Sequence, residues 1–274
     1  MPEIREKRVY VDRAATVEAY VAAELGVAVA RVSGDKIGEF SLVERCTARD
    51  VAATALGVAA ATDDDVLLGD GEDFAETGFG PAVAVAGVGD GVLAAGADGT
   101  VARYDGDDWT TVGSVDADVR ALDADLVAAS DGVHRVTDDG LAPAGLDDAR
   151  DVAAAGVPHA ATASGLYALG NGWMDALDGD FRVVASDPVS ASPGELGRAH
   201  AATPEALYAH DDGDWTTVSL PVEEVVADVA YATDAPVVLT EDGTLAVDAG
   251  DGFRHRNLGL HDARAVAVVA DDGE

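Results

Sequence analysis

Apolar runs of four to seven residues recur along most of the chain, and what separates them is short: Asp90-Gly91, Asp98-Gly99, Asp131-Gly132, Asp139-Gly140, Asp242-Gly243 and similar pairs. Pairs of this type supply the positive-φ positions of tight hairpins, so the pattern predicts many short strands joined by turns. A helical reading fails, because glycine is frequent inside the pattern and no stretch of ten residues keeps apolar spacing at i, i+3, i+4. Ala-rich pieces such as 150–156 favour helix in isolation, but small side chains also suit an inner strand crowded about an axis.

The chain also repeats itself. Thr47-Ala48-Arg49-Asp50-Val51-Ala52-Ala53 returns as Asp148-Ala149-Arg150-Asp151-Val152-Ala153-Ala154 and again as Asp262-Ala263-Arg264-Ala265-Val266-Ala267-Val268. These copies lie 101 and 114 positions apart, with weaker ones at Asp118-Val119-Arg120-Ala121, Asp228-Val229-Ala230-Tyr231 and Ala82-Val83-Ala84-Val85. Three units per long interval give a period of roughly 34 to 38 residues, within the range of solenoids and propellers. Two further echoes pair His159-Ala160-Ala161-Thr162 with His200-Ala201-Ala202-Thr203, and Asp108-Trp109-Thr110-Thr111-Val112 with Asp214-Trp215-Thr216-Thr217-Val218.

Four short strands per unit predict an all-β fold: a single-domain β-propeller over 1–274, of seven blades with six the alternative count. Inner strands are expected near residues 50, 82, 118, 151, 199, 228 and 265. The last, Ala263 to Ala270, has no strands after it, whereas Val17 to Ala23, Gly26 to Val32 and Ile37 to Glu44 form a set of three that lacks an inner strand. The C-terminal strand is therefore expected to join the N-terminal blade and close the ring.

Charge changes the picture of the surroundings more than of the fold. With 52 Asp and Glu against 17 Lys and Arg, the net charge is -35, while hydrophobic residues at 48% leave ample material for a core. Lysine occurs only at Lys7 and Lys36, and Asp outnumbers Glu. These choices fit multimolar salt, where the Debye length falls to about 3 Å and surface carboxylates hydrate the protein without strong mutual repulsion. Such a surface repels phosphate backbones and anionic lipids, so no nucleic acid and no membrane is expected as a partner. The lone Cys46 forms no internal disulfide, and the N-terminus leads into no apolar segment of targeting type. A cytoplasmic monomer is the expectation.

Candidate chemistry is sparse. No Gly-x-Ser-x-Gly turn and no Walker loop occurs, and asparagine, used with Glu to hold the cation of lactonase-type propellers, is confined to Asn171 and Asn257. No catalytic residue, metal ligand or cofactor is assigned, though a divalent cation held by Asp is possible in principle. His159 and His200 occupy equivalent positions without a third ligand at zinc spacing, which reads as paired structural histidines. Residues at the start of each unit should ring one mouth of the channel. Arg49, Arg150 and Arg264, with Asp50, Asp118, Asp151 and Asp228, are thus the candidate ligand- or partner-binding set. Arginine offers a planar fork to a carboxylate or phosphate; the competing reading is that each Arg ties its blade to the next blade's Asp.

The charge pattern, the start Glu6-Lys7-Arg8-Val9-Tyr10, the segment Ile37-Gly38-Glu39-Phe40 and the repeated Gly-Leu-Tyr and Asp-x-Trp phrases resemble a haloarchaeal family of uncharacterised β-propeller proteins. The resemblance implies the fold and a salt-adapted host, and carries over no catalytic residue. The reading that follows is a non-catalytic scaffold that binds a protein partner through one face. The alternative is a lactonase-like or hydrolase-like enzyme, or a small-ligand or metal binder, at the channel mouth.

Overall fold

The computed structural model describes residues 16–70, 73–211, 213–232 and 235–270. They form 28 strands and no helix, grouped in seven four-stranded antiparallel sheets. Numbering strands in chain order, blade 1 is β4 (Ala48–Thr54) to β7 (Phe74–Glu76), blade 2 is β8 (Ala82–Val88) to β11 (Trp109–Ser114), and blade 3 is β12 (Val119–Asp123) to β15 (Gly140–Gly145). Blade 4 runs from β16 (Ala149–Ala153) to β19 (Trp173–Asp178), blade 5 from β20 (Val183–Ser186) to β23 (Asp214–Val218), and blade 6 from β24 (Val226–Tyr231) to β27 (Phe253–Asn257). Blade 7 combines β28 (Ala265–Ala270) with β1 (Thr16–Ala23), β2 (Gly26–Ser33) and β3 (Lys36–Glu44). The innermost strands pack side by side around a central channel, so the fold is a seven-bladed β-propeller and the count of six is set aside.

Closure is as the strand deficit predicts. β28 pairs antiparallel with β1, from Ala22 opposite Ala265 to Val17 opposite Ala270, so the C-terminal strand supplies the inner edge of the blade that begins the chain. A ring closed this way exposes no inner sheet edge.

The core lies between blades rather than inside any one of them. Seven apolar clusters bridge the seven blade pairs among the described residues. In β5 (Gly57–Thr62), Val58 and Ala60 face blade 7 while Ala59 and Ala61 face blade 2. Both faces of each second strand are buried, which is why these strands read as continuous small apolar runs instead of alternating ones. Alanine is favoured there because blades converge toward the axis and leave little room. The outermost strands carry the polar surface, β27 being exposed along four of its five residues. Tryptophans there pin two blades to the one before: in blade 2 Trp109 Nε1 donates to Thr77 O at 3.2 Å, and in blade 4 Trp173 Nε1 donates to Ala144 O at 2.8 Å. Tight turns need glycine at fixed places. At Gly57, with φ of +122°, a Cβ would lie 2.3 Å from Gly69 O.

One expected inner strand is misplaced. Ala199–Ala202 is β21, the second strand of blade 5, and the inner strand is β20. The sequence between β20 and β21, 187–198, is far longer than its counterparts and displaces the unit from its period. β20 itself is four residues long and has no Asp-Val phrase to announce it.

Candidate functional site

The channel encloses about 450 Å³ and is walled by the seven inner strands. These strands share a local device. Opposite their second strands, β4, β8, β12, β16 and β24 each skip one residue in the register: Arg49, Val83, Arg120, Arg150 and Ala227. A bulge of this kind leaves one residue unpaired and re-aims its side chain. In blades 5 and 7 the equivalent place directly before the strand is filled by Arg182 and Arg264, whose backbone N–H groups bond Ala202 O and Ala22 O at 2.9 Å. Five of seven blades therefore present arginine at one mouth of the channel, and Val83 and Ala227 interrupt the ring. The chain has 15 arginines in all, so a third of them stand here.

Each guanidinium faces an acid, but not in one uniform way. Arg49 forks onto Asp63 of its own blade, with Nε and Nη2 at 2.5 and 2.8 Å from the two oxygens, and this pairing holds the Asp63 carboxyl below its usual range. Arg264 Nη2 donates to Asp262 just ahead of it in the chain. Arg120 and Arg150 reach forward instead. Arg120 meets Asp148 at 2.7 Å and Ala149 O at 3.1 Å, and Arg150 meets Asp180 at 2.5 Å and Phe181 O at 3.2 Å. Arg182 lies 3.8 Å from Glu241 of blade 6. Asp148 and Asp262 both adopt φ of 55°, a left-handed conformation uncommon outside glycine and a sign that the rim is held by its surroundings.

Beneath the arginines the aspartates do different work. Asp50 Oδ1 accepts from Val51 N at 2.8 Å while Oδ2 accepts from Val85 N of blade 2 at 2.9 Å. Asp151 takes Val152 N and, on blade 5, Val184 N, both at 2.8 Å; Asp228 takes Val229 N and, on blade 7, Val266 N, both at 2.7 Å. Asp123, two positions further along its strand, reaches Ala154 N of blade 4 at 2.7 Å. At four of the seven blade junctions a carboxyl thus staples one inner strand to the next. Burial raises these carboxyls, Asp50 to about 6 and Asp151 to about 7, against the opposing pull of the backbone N–H groups. Asp228 is raised well above the ordinary value and Asp123 is raised as well, also by burial.

The structure brings together Arg49, Arg150, Arg264, Asp50, Asp151 and Asp228 on the channel wall. Asp118 is not among them. It is exposed ahead of β12, where its backbone exchanges bonds with Ser130. Matching Asp118-Val119 to Asp151-Val152 slips the register by three, but the slip spans the bulge at Arg120, and Val119 and Leu122 are both buried, so the apolar pattern does not betray it. In the true register Arg120 is the partner of Arg49 and Arg150. Sequence comparison also passed over Arg182 and Asp123; an arginine directly before Val183-Val184, as before Asp151-Val152, is the one signal that points to the first.

His159 is buried, with Nδ1 2.7 Å from Val157 O and its ring edge-on to Trp215 of blade 5; His200 Nδ1 lies 2.6 Å from Tyr231 Oη of blade 6. Burial lowers His200 to about 4. Both histidines fill blade junctions. Cys46 is half-buried and its thiol is pushed up to about 11 by burial, which disfavours the reactive thiolate. Among the described residues no group of three or more His, Cys, Asp or Glu is placed to hold a metal ion, and no helix is long and apolar enough to cross a membrane.

Fold and site together define a seven-bladed propeller with an arginine-rimmed channel. The chain belongs to the HVO_0234-like β-propeller family, whose family model matches residues 3–269. No curated protein matches the sequence. Solved structures share the fold at low identity. One titled as YCF48 bound to D1 peptide aligns with a TM-score of 0.58 at 13% identity, over 77% of this chain and 82% of that one. A chain of a nidogen/laminin complex gives 0.59 at 9%, over 92% and 98%. Apo AztD from Citrobacter koseri gives 0.54 at 11%, over 95% and 99%.

Proposed function

We propose that this protein is a non-catalytic propeller scaffold of a salt-adapted cytoplasm, and that it binds an acidic segment of a protein partner through the arginine-rimmed face. The observation that carries the reading is the gathering of five arginines at one channel mouth of a chain with net charge -35. Positive forks on an otherwise negative surface set both the sign of what docks and where it docks. Two of the fold's neighbours are titled as complexes with a peptide and a protein, which supports such a use of the fold without assigning the partner. The Asp-rich surface, nearly free of lysine, supports the salt-adapted setting.

The test compares capture of partners from native extract in multimolar potassium chloride. Arg120→Ala with Arg150→Ala alters the mouth; Arg103→Ala, whose side chain pairs with Asp90 in the β8–β9 turn, alters the opposite face. A specific partner lost by the first variant and kept by the second is the expected result. Equal capture by both, or a metal bound at unit stoichiometry with turnover of a lactone or ester, would overturn it.

A further inference from the structure

The five arginines differ in how completely their donors are used. Arg49 and Arg150 each make two hydrogen bonds, and Arg120 makes one to Ala149 O beside an ion pair with Asp148. Arg182 makes no side-chain hydrogen bond among the described residues; its nearest acid, Glu241, is 3.8 Å away and its side chain is 48% exposed. Arg264 bonds Asp262 through Nη2, yet its Nε is enclosed without any partner. An enclosed N–H left unbonded costs about 1–3 kcal/mol, so such a group is rare unless something absent from the structure completes it.

These two arginines flank one gap. Arg182 belongs to blade 5 and Arg264 to blade 7, and the blade between them places Ala227 at the equivalent position. Alanine there leaves open the space that an arginine fills on blades 1, 3 and 4. Behind the gap the wall is small and apolar, with Val183, Val229 and Val266. The acids that face this pair are Glu241, Asp262 and, further along the rim, Asp63, with Asp228 deeper in the wall. Two guanidiniums balanced by this many carboxyls favour a single negative charge over a doubly charged phosphate. A planar carboxylate also matches the fork of arginine.

We infer that Arg182 and Arg264 form a carboxylate cradle across Ala227, and that the cradle holds an acidic side chain or the terminal carboxylate of a peptide. The inference rests on the reading of this face as the binding face and names the chemistry recognised there.

The experiment measures fluorescence anisotropy of fluorescein-labelled hexaglutamate against the full chain in multimolar potassium chloride. Wild type should bind. Arg182→Gln and Arg264→Gln should each weaken binding by about tenfold, the equivalent of one charge-assisted hydrogen bond. Arg182→Lys, which keeps the charge but loses the fork, should weaken it as well. The Arg182 side chain anchors nothing by hydrogen bonds, so its variants should melt with wild type; a large drop in melting temperature would mark it as structural and overturn the assignment. A C-terminally amidated probe separates the sources. Loss of its binding assigns the terminal carboxylate, and retention assigns the side chains. Absence of wild-type binding up to about 1 mM, equal binding of hexaglutamine, or undiminished binding by both Gln variants would overturn the cradle. A natural partner that the double Gln variant still captures overturns the cradle alone, whereas one captured by every mouth variant overturns the face.

Discussion

Replacing Asp151 by Ala should destabilise the propeller strongly at about pH 5 and weakly at about pH 8.5. The side chain accepts from Val152 N on its own strand and from Val184 N on blade 5, both at 2.8 Å. Its loss orphans two backbone donors, each costing about 1–1.5 kcal/mol, so the variant should lose about 2–3 kcal/mol while the wild-type carboxyl is protonated. Burial holds that carboxyl at about 7 rather than 3.8. Because the folded value lies above the unfolded one, the native state binds the proton more tightly. Its contribution is therefore complete below about pH 4 and is lost as pH rises through 7. From pH 5 upward about two pH units of that difference remain to be lost, about 2.7 kcal/mol in a fully enclosed site at 1.36 kcal/mol per pH unit. Asp151 is only half-buried and borders the channel, so solvent screening brings this to about 2 kcal/mol. The cost of Asp151→Ala should thus shrink by about 2 kcal/mol over this range. Urea unfolding of both proteins at constant high salt, at each pH, measures it; titrating groups remote from Asp151 cancel in the difference, whereas Asp50, Asp123 and Asp228, whose charges repel its own, contribute to it. A cost that stays constant or grows with pH would refute the staple as a carboxyl held in its neutral form.

Other outcomes follow from the same geometry. His200, lowered to about 4 by burial, contributes stability that is present above pH 6.5 and lost as pH falls toward 4, so His200→Gln should flatten the acid side of the melting profile. Removing 263–274 takes away β28 and with it the inner edge of blade 7, and should replace one cooperative thermal transition by a broad, lower one in calorimetry. Trp173→Phe keeps the packing but drops the Nε1 bond to Ala144 O, and should cost about 1 kcal/mol in chemical denaturation. Gly57→Ala forces a Cβ against Gly69 O at positive φ and should lower stability by more than about 1 kcal/mol.

The blade architecture was legible in the chain because each unit is local. Turn pairs such as Asp131-Gly132 mark hairpin ends, and an echo such as His159 with His200 marks equivalent strands whatever surrounds them. The unpaired C-terminal strand announced closure for the same reason, since a strand with no partner in its own unit must find one elsewhere. What remained illegible depends on register and on neighbours across blades. The long insertion at 187–198 hid β20, and a slip of three residues, masked because it spans the bulge at Arg120, put Asp118 where Ala121 belongs. The destiny of Asp50, Asp151 and Asp228 as staples to the following blade, and the separation of Arg182 from Glu241, lie in contacts between residues about 30 to 60 positions apart. Only the closed ring brings those partners within hydrogen-bond reach, because the spacing of adjacent inner strands is set by how seven blades pack around one axis.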